Sequence, residues 1–382
     1  MSSLSGRAWA VVAGGGTGGH VYPGVALAKE LVRRGHEATS VHFVGARRGV
    51  EAKSQALAGF AVTLLPGRGL VRQLSVKGVA RNLGALAGAC AATAKAIALF
   101  SRWRPAVVVS FGGYASLPCV AAAALHRVPV VVVDLDAVPG LVNRWAARLP
   151  GSSVYSGVPV RPEMAQVDRT PSARRRAKER LGLPAEAVVV AVSGGSLGSA
   201  RLNQAAVRLA ELWADRQGVA VYHVVGQRDW EGFVQRSPRA PKAGALCYRA
   251  VPYQEDMPSL YSAADVAVQR AGASSVAELA LAGVPSVLVP LPGAPGGHQE
   301  ANARAMAEAG AAVVVADSEL DGERLAKELE AVLADPVRLE AMAAAAKSLA
   351  RPNASQELAD VVERSALRPP ARAREEVVAG AG

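Results

Sequence analysis

The sequence predicts a two-domain, doubly wound α/β protein, and three observations predict it. Short apolar runs of strand length alternate with alanine-rich stretches of helical length, the βα grammar of a parallel sheet covered on both faces. That grammar runs through the N-terminal part of the chain, breaks at a proline-rich basic stretch and restarts at Val188. At 382 residues the chain also exceeds the usual size of a single core. Hydrophobic residues make up 51% and aromatics only 4%, which suits sheets and helices packed with Ala, Val and Leu.

In order along the chain, residues 11–13, 39–44, 106–110 and 128–133 read as buried strands of the first domain. A helix is expected over residues 23–34, with Pro23 in its first turn and Gly35 as its stop. Residues 161–186 hold Pro162, Pro171, Pro184 and the run Arg174-Arg175-Arg176. The linker is therefore expected near 158–169, with the arginine run on a solvated face. Residues 188–193, 219–225, 266–269, 286–290 and 312–315 read as the second set of strands. The expected domains are 1–160 and 161–367, with a helix over 356–367 packing back across the cleft and a disordered tail over 368–382.

The 43 Lys and Arg against 32 Asp and Glu leave a net charge of +11, which favours anionic partners such as nucleotides, phospholipid surfaces or nucleic acid. Nucleic acid is disfavoured by the lack of zinc-finger spacing, of an aromatic-plus-basic RNA motif and of a strong helix-turn-helix pattern. Cys90, Cys119 and Cys247 lie far apart, so neither a disulfide framework nor a metal site is expected and a reducing cytoplasm is the simplest setting. The N-terminal apolar run is too short for a signal-peptide core and reads as the first strand. No apolar run reaches the roughly 18 to 20 residues of a spanning helix. Residues 86–100 come nearest, and Lys95 interrupts them.

The chemistry gathers where strands end. Val11-Val12-Ala13 runs into Gly14-Gly15-Gly16-Thr17-Gly18-Gly19-His20, a loop whose backbone can approach an anion and whose following helix offers unpaired N–H groups. A neutral imidazole beside such a site accepts a proton near pH 7, although taken alone a glycine turn with a hydrogen-bonded histidine is an equally simple account. Phe111-Gly112-Gly113-Tyr114 and Gly194-Gly195-Ser196-Leu197-Gly198-Ser199 repeat the arrangement after two further strands. Three glycine turns at strand ends in two domains suggest a phosphate-bearing ligand in a cleft, since such sheets bind ligands beyond the carboxyl ends of their strands. Arg270-Ala271-Gly272-Ala273-Ser274-Ser275-Val276-Ala277-Glu278 forms another strand-to-helix junction. There Ser274 or Ser275 is expected to cap the helix, and Glu278 either accepts from two ribose hydroxyls or completes a capping box. In His298-Gln299-Glu300-Ala301-Asn302-Ala303 the amides either cap the helix or grip sugar hydroxyls.

Taken together, GGGTGGHVYPGVALAKEL, SFGGYASLP, VPGLVNRWA, SGVPVR, SGGSLGSARLN, YQEDMPSLYSAADVAVQRAGASSVAELALAGVPSVLVPLP and HQEANA, in this order, resemble the bacterial N-acetylglucosamine transferases of peptidoglycan synthesis, a GT-B family numbered 28. The resemblance covers roughly residues 8–365. It implies two Rossmann-like domains facing a cleft, UDP-GlcNAc as donor, the lipid-linked muramoyl acceptor lipid I, and lipid II as product. It further implies an inverting mechanism with no cofactor and no required metal, and peripheral association with the cytoplasmic face of the cell membrane. Carried over by position, Thr17, Gly18 and Gly19 match the first donor-binding loop and His20 the histidine beside the reaction centre. Arg161 matches an arginine reaching the donor phosphates, and Ser196 the serine of the GGS loop. Gln254 matches a position whose backbone reads the uracil, which leaves its side chain free to vary. Ala273, Ser274, Ser275, Val276, Ala277 and Glu278 match the cradle of phosphate and ribose, and Gln299 the glutamine that reads the sugar.

One stretch departs from the pattern. Where the family has His-Glu-Gln-Asn ahead of the PGLxN motif that ends in Asn143, this chain has Val133-Asp134-Leu135-Asp136, and Val158 stands where the family has asparagine. Asp134 keeps a carboxylate able to act as base or to orient His20, whereas Asp136 places a negative charge near the expected diphosphate unless Arg or His compensates. Asp134 therefore joins His20 as an expected catalytic residue, and Asp136 and Asn143 join the substrate-binding set. The departure keeps open a related transferase with another acceptor, a UDP-GlcNAc epimerase and a catalytically silent UDP-GlcNAc-binding protein. Membrane contact is expected at residues 68–77, helped by Arg81 and Arg102, where apolar side chains alternate with cations suited to anionic phospholipid.

Overall fold

The computed structural model describes residues 8–15, 18–47, 57–66, 76–195, 198–235 and 246–367. The chain divides into two compact units. Unit 1 comprises Met1–Asp134, Pro139–Ser156 and Ser355–Gly382; unit 2 comprises Leu135–Val138 and Gly157–Ala354.

Unit 1 holds strands β1 (Ala10–Ala13), β2 (Val41–Ala46), β3 (Ala61–Leu65), β4 (Val107–Ser110), β5 (Val130–Asp134) and β6 (Ser153–Ser156). They form one parallel sheet in the order β3-β2-β1-β4-β5-β6. Its helices are α1 (Gly18–Arg33), α2 (Val76–Trp103), α3 (Leu117–His126), α4 (Leu141–Ala146) and α13 (Ala354–Ala366), the last contributing all but its first residue. The core lies where β1, β4 and β5 meet Phe100, Trp103, Cys119 and Ala146.

Unit 2 repeats the plan. Strands β7 (Val188–Ser193), β8 (Val219–Val224), β9 (Cys247–Val251), β10 (Val266–Gln269), β11 (Ser286–Leu288) and β12 (Ala312–Val314) are parallel in the order β12-β11-β10-β7-β8-β9. Around them lie α5 (Pro171–Arg180), α6 (Ala200–Leu212), α7 (Trp230–Val234), α8 (Met257–Ala263), α9 (Ala273–Ala282), α10 (His298–Glu308), α11 (Gly322–Leu333) and α12 (Pro336–Ser348). Each sheet reverses its winding once, between β1 and β4 in unit 1 and between β7 and β10 in unit 2. Ligands of doubly wound sheets bind at that reversal, beyond the carboxyl ends of the strands.

Several local expectations need correction. Helix α1 begins at Gly18, five residues before Pro23, so His20 stands in its first turn and the proline lies inside the helix. Strands β3, β6 and β9 were not foreseen. All three are edge strands with partly exposed residues, so they lack the unbroken apolar run that marks a buried strand. The arginine run lies in helix α5, whose cap Thr170 accepts from Ala173 N, and Arg175 and Arg176 are exposed to solvent as expected. Arg174 turns inward to pair with Asp265 and to donate to the carbonyls of Ala263 and Ala264.

Within unit 1, α13 is tied to the end of α1. Arg34 donates to Asp360 at 2.5 Å, to Glu363 at 2.9 Å and to the Gln356 carbonyl at 2.8 Å. Tyr155 on β6 donates to Glu357 at 3.0 Å. Among the described residues no helix is long and apolar enough to cross a membrane.

Candidate active site

In unit 1 the winding reverses where β1 runs into Gly14-Gly15 and β4 into Phe111-Gly112-Gly113. The two turns must touch. A Cβ on Gly14 would lie 2.9 Å from Phe111 Cβ, so only glycine lets the loops close. Gly112 and Gly113 take left-handed φ of 81° and 75°, and the Cα of Gly113 faces the His20 ring, since a Cβ there would lie 3.9 Å from Nε2. Ser110 ends β4 with its hydroxyl accepting from Gly112 N at 3.4 Å.

Next to this turn stands Asn143, only 5% exposed. Its Nδ2 donates to Asp134 Oδ1 at 2.8 Å and to the Val133 carbonyl at 2.9 Å. Its Oδ1 sits where a Cβ on Gly112 would come within 3.0 Å, and is buried without a hydrogen-bond partner among the described residues. Unit 1 thus gathers His20, the Gly112-Gly113 turn, Asn143 and Asp134. Asp134 is oriented by Asn143.

In unit 2 the corresponding reversal brings the loop after β7 to the loop before α9. Ser193 ends β7 as Ser110 ends β4, its hydroxyl accepting from Gly195 N at 3.3 Å. A Cβ on Gly194 would lie 2.5 Å from Ser199 N, and one on Gly198 2.6 Å from the Val225 carbonyl. This loop too is closed by glycine alone, and Ser199 caps α6 by accepting from Leu202 N. Arg270, 9% exposed, braces the loop from below. It donates to Ser199 Oγ at 2.7 Å and to the carbonyls of Val289 and Pro290 at 3.2 Å, and it pairs with Asp317 at 2.7 Å.

Helix α9 begins without a side-chain cap. Its N-cap is Gly272, and Ser274 and Ser275 lie inside the first turn, a correction to the expected serine cap. The N-cap itself supplies no side-chain oxygen to the N-terminal N–H groups of α9, which suits a bound anion. Glu278 does not complete a capping box either. Its carboxylate receives Arg161 Nη2 at 3.3 Å on one oxygen and the Tyr261 hydroxyl at 3.3 Å on the other. Gln269 Nε2 donates to that hydroxyl at 3.2 Å, so Gln269, Tyr261 and Glu278 form one chain of donors. Burial raises the Glu278 pKa above its ordinary 4.5, opposed by Arg161 and Tyr261.

The remaining predicted residues separate. Gln254 is not free at its side chain: it accepts from Tyr222 OH at 3.1 Å and donates to the Asp256 carbonyl at 2.9 Å, fixing the turn into α8. Gln299 Oε1 accepts from Leu291 N at 2.9 Å, which closes the loop ahead of α10. Asp136 has no Arg or His partner among the described residues and is met instead by Asn302 Nδ2 at 2.9 Å. Gly18 and Gly19 form the first turn of α1, while Thr17 and Ser196 lie outside the described residues, as does most of the expected membrane patch at 68–75. Sequence reasoning missed the roles of Arg270, Tyr261 and Gln269. Arg270 stood in the QRAGASS junction, but nothing local marked Tyr261 as a partner of Glu278.

Two glycine-closed switch points with a carboxylate, an arginine and a histidine at them define a class, the GT-B glycosyltransferases. The pattern of the Glycosyltransferase family 28 N-terminal domain matches residues 10–154, and that of the Glycosyltransferase family 28 C-terminal domain matches residues 189–358. The UDP-N-acetylglucosamine–N-acetylmuramyl-(pentapeptide) pyrophosphoryl-undecaprenol N-acetylglucosamine transferase of Desulforudis audaxviator is 36% identical over 378 residues, covering 93% of this chain and 98% of its own. The protein of that name from Anaeromyxobacter sp. (strain K) is 39% identical over 362 residues, covering 92% and 91%. The crystal structure of Acinetobacter baumannii MurG superposes with a TM-score of 0.69 at 29% identity, covering 93% of this chain and 98% of that one. The chain belongs to glycosyltransferase family 28, among the UDP-GlcNAc-dependent N-acetylglucosaminyltransferases that carry this name.

Proposed function

We propose that this protein moves GlcNAc from UDP-GlcNAc to the muramoyl sugar of undecaprenyl-pyrophosphoryl-MurNAc-pentapeptide, making lipid II for the cell wall. The observation that carries the reading is the unit 2 switch point, where uncapped α9 meets a glycine-closed loop beside Arg161 and Glu278. Relatives of that printed activity at 36% and 39% identity supply the sugar and the acceptor.

In this reading the α9 N-terminus and Arg161 hold the diphosphate, and Glu278 accepts from the ribose hydroxyls. The Arg161 to Glu278 ion pair opens when the diphosphate takes the guanidinium. The acceptor hydroxyl attacks the anomeric carbon from the face opposite UDP, inverting it. His20 takes the hydroxyl proton, the bond from the anomeric carbon to the UDP oxygen breaks, and UDP leaves with both electrons. Fixed dipoles already aimed at the diphosphate stabilise that charge without reorganisation. Asp134, held by Asn143, supplies negative charge on the acceptor side. The surplus of cations and the apolar-basic stretch at 68–77 support peripheral binding to anionic phospholipid at the cytoplasmic face.

The test is transfer itself, followed as disaccharide formation from UDP-GlcNAc and a short-chain lipid I analogue. Product that requires the analogue supports the reading. UDP and a 2-epimer released without any acceptor would replace it with an epimerase.

A further inference from the structure

Two side chains of different freedom hold the Glu278 carboxylate. Among the described residues its side-chain donors are Arg161 Nη2 on Oε1 and the Tyr261 hydroxyl on Oε2, each at 3.3 Å. Arg161 lies in the segment ahead of α5, its guanidinium 26% exposed at the end of a long stem. Tyr261 on α8 is 1% exposed, its ring packed in the unit 2 core that also holds Met164, Leu260 and Leu279. Its backbone is fixed as well, because its carbonyl accepts from Arg169 Nη1 at 2.6 Å.

The hydroxyl has one proton and two acceptors at 3.3 Å, Glu278 Oε2 and Gln269 Oε1. The carboxylate takes it, since a hydrogen bond to an ionised acceptor is roughly twice as strong as one to a neutral amide. Gln269 then serves the hydroxyl oxygen as a donor, through Nε2 at 3.2 Å. Burial pushes the ionisation of the hydroxyl well above its ordinary range, so it remains a donor. Glu278 is itself only 13% exposed, and water replaces a lost donor poorly at such a position.

Resting on the reading above, in which Arg161 turns to the diphosphate and Glu278 to the ribose, we propose that Tyr261 is a positioning residue for the donor nucleotide: its hydroxyl keeps the carboxylate in place once the guanidinium has turned away, and so sets a preference for ribose over deoxyribose. Each carboxylate oxygen has room for a second donor, so Oε2 bonded to Tyr261 still accepts from a sugar hydroxyl. An acceptor rejects the analogue that lacks this hydroxyl only if it cannot relax towards another partner. Tyr261, anchored by ring and backbone, denies Glu278 that relaxation.

The experiment measures the affinity of the full-length protein for UDP and for 2′-deoxy-UDP by calorimetry, which needs no acceptor substrate. It compares the wild type with Tyr261→Phe, Glu278→Gln and the double variant. Phenylalanine keeps the ring in the core, so the fold is expected to persist, and the urea midpoint checks this. The wild type is expected to bind UDP about twentyfold more tightly than 2′-deoxy-UDP, the effect of one hydrogen bond to a charged group. In Tyr261→Phe the ratio is expected to fall to about threefold or less, chiefly through weaker binding of UDP. A merely structural role would weaken both nucleotides alike and leave the ratio unchanged. In the Glu278→Gln background the same substitution is expected to move the ratio by less than about twofold, because the group it positions is already altered. Tyr261→Phe with the wild-type ratio overturns the proposal, as does a double variant whose losses multiply. A wild type that binds both nucleotides equally overturns the reading that puts Glu278 on the ribose, and the proposal with it.

Discussion

Glu278 is the residue at which charge, burial and ligand chemistry meet. Its carboxyl is raised by desolvation, so it takes up a proton at higher pH in the folded chain than in the unfolded one. For folding, such a group contributes stability that is fully present below its unfolded pKa and is lost as pH rises through the folded pKa. In the proposed donor site the sign is opposite, because only the ionised form would accept two hydroxyl protons. The KM for UDP-GlcNAc is therefore expected to rise as pH falls towards that raised pKa. Glu278→Gln should raise KM about tenfold at neutral pH and flatten the acid limb of the profile. A steady-state pH series on both proteins checks this, and an unchanged acid limb would remove Glu278 from the ribose site. His20 makes a different prediction. His20→Ala should lower kcat by roughly a hundredfold or more while UDP affinity stays near wild type. Most of the turnover surviving would end its assignment as the base.

At the scale of elements, the glycine loop after β7 depends on a partner far along the chain. Gly198 holds a φ of 74° against the Val225 carbonyl, so Gly198→Ala is expected to cost about 1–3 kcal/mol, read from urea unfolding. Behind that loop His223 on β8 is fully buried, hydrogen-bonded to Asn203 on α6 at 3.0 Å and to Tyr248 on β9 at 2.7 Å. Desolvation lowers its pKa from 6.5 to about 3. The unfolded chain therefore binds a proton that the folded chain refuses, and stability is lost as pH falls from about 6.5 towards the folded value. By pH 4.5 that loss amounts to about 2–3 kcal/mol, which His223→Gln should reduce in paired denaturant curves at pH 7 and pH 4.5.

The same elements show what the sequence could reveal. Buried strands β1, β4, β7 and β10 announced themselves as unbroken valine-rich runs, and the glycine turns at their ends located both switch points. The edge strands β3, β6 and β9 did not, because their half-exposed residues look like loop. Side-chain pairings across long separations were equally hidden. Tyr261 meets Glu278 from the neighbouring helix, and Asn302 meets Asp136 across 166 residues, so neither pairing leaves a local trace. The start of α1 was misplaced for a related reason: glycines carry no hydrophobic period, and Pro23 imitated a first-turn signal.

For the molecule as a whole, the fold repeats one winding plan twice, and in the proposed function each copy's switch point serves a different part of the reaction. Unit 1 presents His20 with the Asp134 carboxylate; unit 2 presents the N-terminus of α9 with Arg161 and Glu278. With a net charge of +11, the protein is expected to bind vesicles containing anionic phospholipid and to be released as salt rises, while neutral vesicles hold it weakly. Flotation across a salt series measures this, and equal binding to neutral vesicles would contradict it. The central claim, that an altered Val133-Asp134-Leu135-Asp136 stretch still supports the cell-wall reaction, is tested most directly by UDP release from UDP-GlcNAc with and without a short-chain lipid I analogue. The account predicts release that depends on the analogue and matches the disaccharide formed. Tight donor binding with no analogue-dependent release would contradict it.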